Sequence, residues 1–273
     1  MSSARRFLLI VAAACLAAPA SLAAQGWEGI IRTREISFDI GLFSDRVGDD
    51  PEKILEIPLA EILAAQDRPE AAEFDFSVSE AALKLKGPWI RTDMTGEAMA
   101  EMGVGYGIMN VDEGMMYMVM PERQMIVEMN VAEIEEMMKD LPRPAPGPAP
   151  EVERLGRARV VNGVPCTAYQ VRSDNDITVA WVSDADQPLH AVYRRFGDLV
   201  RKMDPEDVDP DLVLAEYGFP MLSYTISGTS VQIEETIALE RGTVPESEFR
   251  LPTDYQRVSM MEMMRQQMEQ IRD

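Results

Sequence analysis

The sequence is short of the residues that most chemistry needs. Its 273 residues include one histidine, His190, and two cysteines, Cys15 and Cys166. A serine triad needs a His base, and no Gly-x-Ser-x-Gly stands around any serine, so that class of hydrolysis has no support. One His and two Cys do not make a four-ligand zinc site. Basic residues are scarce too: 26 Lys and Arg face 47 Asp and Glu, a net charge of −21. A field of that sign repels nucleic acid and anionic membrane surfaces. Long apolar runs are absent beyond residue 18. The one at 7–18 is about a dozen residues, against the ~20 a spanning helix requires.

That run has the layout of a secretory leader. Arg5 and Arg6 precede it, and Ala23-Ala24-Gln25 follows as a small-residue cleavage region. The expectation is cleavage of 1–24 and a periplasmic or secreted protein occupying 25–273. Cys15 behind Ala12-Ala13-Ala14 weakly resembles a lipidation box, but Ala12 stands where Leu is usual. With Cys15 removed, Cys166 is alone and no internal disulfide can form. Its setting, Val164-Pro165-Cys166-Thr167-Ala168-Tyr169, predicts a buried, inert thiol.

What the chain does have is strands. Segments 27–38, 74–78, 82–86, 89–92, 106–111, 115–120 and 124–129 carry strand patterning. Asp112-Glu113-Gly114 and Pro121-Glu122-Arg123 turn them into successive hairpins. After Pro142–Pro150, a proline-rich loop, come 155–161, a turn at Asn162-Gly163, a strand to 171, then 177–182, 221–227 and 231–239. Helical spacing appears at 51–66 (divided at Pro58), 131–139, 189–203, 211–217 and 259–272. The last opens with Ser259 and Glu262 in capping-box spacing.

Methionine is over-represented: 20 in all, twelve of them from Met94 to Met138. Met is flexible and polarisable, and Met-rich surfaces adapt to varied apolar partners. Three readings follow: core packing, the lining of an apolar ligand, or thioether coordination of Cu(I). Copper is the weakest, since His190 lies far from the cluster. Calcium fares no better. The run Asp204–Asp211 lacks the central Gly and twelfth-position Glu of a calcium loop. Gly103-Val-Gly105-Tyr-Gly107 lacks the spacing of a phosphate loop. No metal or cofactor is expected.

Several blocks resemble a known group. They are Gly26-Trp27-Glu28-Gly29-Ile30, Trp89-Ile90-Arg91-Thr92-Asp93, Met115–Pro121, and the stretch from Gly156 through Asn162-Gly163-Val164-Pro165-Cys166 to Ala180-Trp181-Val182-Ser183-Asp184. Together they resemble an uncharacterised family of exported bacterial proteins, similar in fold to periplasmic lipoprotein carriers and outer-membrane lipoprotein receptors. The resemblance spans roughly 26–255. It implies a mainly β (α+β) fold: a curved antiparallel half-barrel with helices covering its concave face. The strand and helix inventory agrees with that independently. The acidic stretch 41–72 and the methionine excess depart from it.

The resulting expectation is a non-enzymatic binding protein. Its partner is an acyl chain, lipid or lipidated peptide, lined by Trp89, Met116, Met118 and Met120, with peripheral membrane contact left open. The alternative is a protein-interaction or envelope-stress-sensing module using the same groove.

Overall fold

Twelve strands form one open, curved sheet, in which short turns alternate with longer connections that carry the helices. The computed structural model describes residues 27–95, 103–139, 150–173, 176–203 and 210–262. The expected leader 1–24, most of the proline-rich loop, the acidic run 204–209 and the part of the expected last helix beyond 262 lie outside them. The first meander is β1 (Gly29–Asp39), β2 (Ser77–Lys86), β3 (Trp89–Thr95), β4 (Tyr106–Asn110), β5 (Met115–Met120) and β6 (Met125–Asn130). The second is β7 (Glu151–Val161), β8 (Val164–Arg172), β9 (Asp176–Ser183), β10 (Phe219–Ser227) and β11 (Ser230–Arg241). β1 pairs with both β2 and β11, so it joins the two meanders into one half-barrel. β12 (Gln256–Ser259) adds to β6 in parallel.

Asn162-Gly163 closes the β7–β8 hairpin with both residues at positive φ, +48° and +83°. That is the two-residue turn whose twist matches the strands.

The helices are short. α1 (Ser44–Val47) and α2 (Leu59–Ala64) lie in the acidic stretch between β1 and β2, with 3-10 turns around them. Pro58 is the N-cap of α2, so it does divide that segment. α3 (Val131–Lys139) follows β6, α4 (Gln187–Met203) follows β9, and α5 (Pro210–Leu214) precedes β10. Leu42, Phe43, Val47, Ile54 and Ile62 from the acidic stretch join Leu189, Val192, Tyr193 and Phe196 of α4 in one core cluster. Burial of this apolar area supplies the driving force at roughly 25 cal/mol per Å².

The segment after β11 crosses the face of β2–β4 as a strap. Val244 N–H donates to Glu28 Oε1 at 2.8 Å, and Lys86 Nζ donates to the Val244 carbonyl at 2.9 Å. Lys84 Nζ bridges Asp93 at 2.6 Å and Glu248 at 2.7 Å. Arg91 donates to the Glu248 carbonyl at 3.0 Å, with its guanidinium 3.9 Å from the Tyr106 ring centre. Burial opposes the Lys84 charge, yet hydrogen bonds to Asp93 and Glu248 outweigh it and raise its pKa. The strap then delivers β12 to the sheet edge.

Two expectations need correction. The alternation at 74–78 does not start a strand: Ala71–Phe74 is a 3-10 turn, Asp75 takes φ +50°, and β2 begins at Ser77. Alternation is a weak signal beside a left-handed residue, which reverses the chain. β2 then runs unbroken through 78–86, where two strands were expected.

Candidate ligand pocket

Strand register decides where the expected lining residues stand. Cross-strand partners share a face, so Leu85, Ile90, Met109, Met116 and Met129 form one row across β2–β6. Leu83, Thr92, Gly107, Met118 and Val127 form the next row on the same face. Met120, opposite Met125, completes the set. Met116, Met118 and Met120 are 3–4 % exposed and belong to the core cluster.

Trp89 is on the other face. Its row is Lys86, Trp89, Asn110, Met115 and Asn130. The four residues expected to line one groove therefore stand on opposite sides of the sheet. Side chains alternate with period two, so odd Trp89 beside Ile90 could not share the face of Ile90. Among them only the three methionines come together, and they do so inside the core.

The structure instead opens a cavity of ≈ 420 Å³ in the other half of the sheet. It lies between the β7–β8 turn, the start of α4 and the adjoining ends of β10 and β11. Its apolar wall is Val164, Pro165, Pro188, Leu189, Phe219, Met221 and Leu239. Asp186 and Arg241, with Ser183 and Gln187, form its polar lining. The size is within the roughly 300–1,000 Å³ of ordinary ligand pockets, and the makeup is the usual one: mostly apolar, with a few placed polar groups.

Asp186 organises this pocket. Its Oδ1 accepts from the Leu189 N–H at 3.1 Å and its carbonyl from the His190 N–H at 2.9 Å, which makes it the cap of α4. Its Oδ2 accepts from Trp27 Nε1 at 3.1 Å. Arg241 Nη2 pairs with the same carboxylate at 2.7 and 2.8 Å. One side chain thus ties together the chain's first described residue, α4 and β11. The sequence does carry a signal for this cap, which the helix expectation starting at 189 passed over: Asp186 stands three residues before Leu189, with Pro188 in the first turn. His190 Nε2 meets the Ala215 carbonyl at 2.7 Å, which ties α4 to the segment after α5 rather than to the pocket.

Cys166 lies beside this region and is 5 % exposed. Its Sγ donates to the Val164 carbonyl at 3.3 Å. Burial pushes the thiol up from 9.0 to about 11. Two pH units cut the thiolate fraction at pH 8 about a hundredfold. A thiol reagent at pH 8 is expected to label native Cys166 at least about a hundredfold more slowly than the urea-unfolded chain. Fast stoichiometric labelling of the native protein contradicts this burial. Tyr224, packed edge-on against Trp181 with ring centres 5.8 Å apart, is likewise pushed up to about 12 by burial.

A family model described as a domain of unknown function (DUF4412) matches residues 75–255. The chain belongs to the DUF4412 family. The matched range runs from just before β2 to just before β12 and takes in the whole pocket. β1, although central in the sheet of this DUF4412 protein, lies outside the match. A search of curated proteins finds no match. Among solved structures, PNGF-II is similar in two crystal forms. One has a TM-score of 0.38 at 6% identity, covering 86% of this chain and 32% of that one. The other has 0.36 at 7%, covering 87% and 32%. The chain therefore spans about a third of that protein's length, and a likeness this loose adds nothing to the reading of the pocket.

Proposed function

We propose that this chain is an exported, non-enzymatic binding domain for an apolar ligand, an acyl chain, lipid or lipidated peptide. Cleavage of residues 1–24 would leave it periplasmic or secreted. The observation that carries the reading is the largely apolar cavity at the start of α4, whose lining includes one paired charge, Asp186 with Arg241. The resemblance to lipoprotein carriers points the same way. The ligand's seat moves from the methionine face, which is already packed, to this cavity. Each methylene withdrawn from water there contributes about 0.8 kcal/mol, so the ~8 kcal/mol of micromolar binding takes an alkyl chain of at least about ten methylenes.

The test uses a neutral naphthylamine fluorophore as the apolar probe. Leu239 is half-buried on the cavity wall. Leu239→Glu is expected to weaken probe binding at least about tenfold, because it sets a carboxylate against the apolar ligand. The thermal midpoint should move by no more than a few degrees, as expected for a partly exposed site. Absence of probe binding by the parent chain, or equal binding by Leu239→Glu, removes the cavity as the ligand's seat.

A further inference from the structure

The sheet has two edges, and they are treated differently. β12 closes one edge with four residues. β7 forms the other with eleven, and among the described residues nothing pairs with its outer side. Glu151, Glu153, Arg154 and residues 156–160 of β7 are exposed. Val160, 65 % exposed, is one of only three exposed large apolar residues among those described. A long edge strand with an exposed β-branched residue is a template for another strand.

The charge order along β7 selects the occupant. The N-terminal half carries Glu151, Glu153 and Arg154; the C-terminal half carries Arg157 and Arg159, with Ala158 as the position opposite Arg154 in the register below. Such a strand is complementary to its own antiparallel copy. A bulge between Arg154 and Ala158, with Gly156 at φ +64°, divides β7 into two regular pieces. A two-fold axis at Gly156 sets both bulges at the centre and pairs 151–154 of each copy with 158–161 of the other. In that register Val152 lies opposite Val160, and Glu153 lies opposite Arg159. Glu151 is diagonal to the same Arg159. The faces agree: Val152 and Val160 are opposite Val171 and Pro165 of β8, while Glu153 and Arg159 are opposite Gln170 and Cys166. Arg159 is already steadied by the Trp181 ring, 4.8 Å from its guanidinium carbon.

We propose that β7 is the seat of a second copy of this chain, forming an antiparallel, two-fold dimer that continues the sheet from one protomer into its partner. A two-fold contact closes on itself, so the edge is consumed without filament growth.

Sedimentation equilibrium of the purified chain tests this. The parent is expected to dimerise, more weakly at high salt because the paired charges are exposed. Glu153→Arg and Arg159→Glu should each weaken the dimer at least about tenfold, since each sets like charges face to face. An equimolar mixture of the two variants should recover it. In the mixed dimer the arginine introduced in one copy meets the glutamate introduced in the other, and the remaining pair is native. Recovery on mixing is an outcome that misfolding of either variant could not produce. A parent that stays monomeric at about 1 mM, the weak end of the affinity scale, overturns the proposal. So does a dimer indifferent to both substitutions.

Discussion

Replacing Met116 and Met118 together by Gln is expected to lower the stability by about 2–6 kcal/mol in urea unfolding. Both side chains are 3 % exposed. They stand beside Met109, Met129 and Val127 on one sheet face. Each Gln would bury an amide among apolar groups that offer it no partner, at roughly 1–3 kcal/mol per site. The two positions are neighbours, so the sum holds only approximately. Met115→Gln is the control: Met115 is half-buried on the opposite face, and it should cost less than about 1 kcal/mol. The alternative outcome is equally plain. If the double variant keeps its stability and loses only the apolar probe, the methionine face is a ligand surface and the cavity is not.

Asp186→Ala is expected to cost about 2–4 kcal/mol, a fall in thermal midpoint of roughly 5–15 °C for a domain of this size. Two losses add. Removing a helix cap costs about 1 kcal/mol. Leaving the Trp27 indole N–H without its acceptor costs roughly 1–3 more, because Trp27 is 1 % exposed. The Arg241 pair contributes little, since that guanidinium is 61 % exposed and surface pairs are worth roughly 0–1 kcal/mol. Two companion variants separate the terms. Asp186→Asn keeps one oxygen, enough for the cap or the indole but not both, and should recover part of the loss. Arg241→Ala should lie within about 1 kcal/mol of the parent. An Asp186→Ala chain as stable as the parent would mean that neither the cap nor the indole bond holds α4 against the sheet.

The pocket was hidden in the sequence for a physical reason. Its wall is assembled from the β7–β8 turn, the start of α4, β10 and β11, separated by up to 78 residues from Gly163 to Arg241. Each wall residue taken alone is an ordinary apolar residue in an ordinary element. The methionine cluster drew attention because it is compact in sequence. Compactness in sequence comes here from hairpins folding on themselves, and the same local pairing that gathers Met109, Met116 and Met129 also seals them into the core. Trp89 illustrates the limit of periodicity. The alternation Trp89-Ile90-Arg91 shows that Trp89 and Ile90 face opposite ways, but not which of them faces the core.

Composition and local pattern alone determined a mainly β chain of successive hairpins, the turns at Asn162-Gly163 and Asp112–Gly114, the helix break at Pro58 and the burial of Cys166. These depend on two-residue turn geometry, on proline's missing donor and on short apolar runs, all of which act between near neighbours in the chain. Tertiary structure decided what depends on distant partners. It sealed the two meanders through β1 and β11, whose paired residues Gly29 and Arg241 are 212 positions apart. It laid the strap across Lys84 and Arg91, brought Trp27 to Asp186, and left β7 with an edge that is unpaired among the described residues. A side chain's face is set by register with the neighbouring strand, and register is a property of the pair, so one strand's sequence could not contain it.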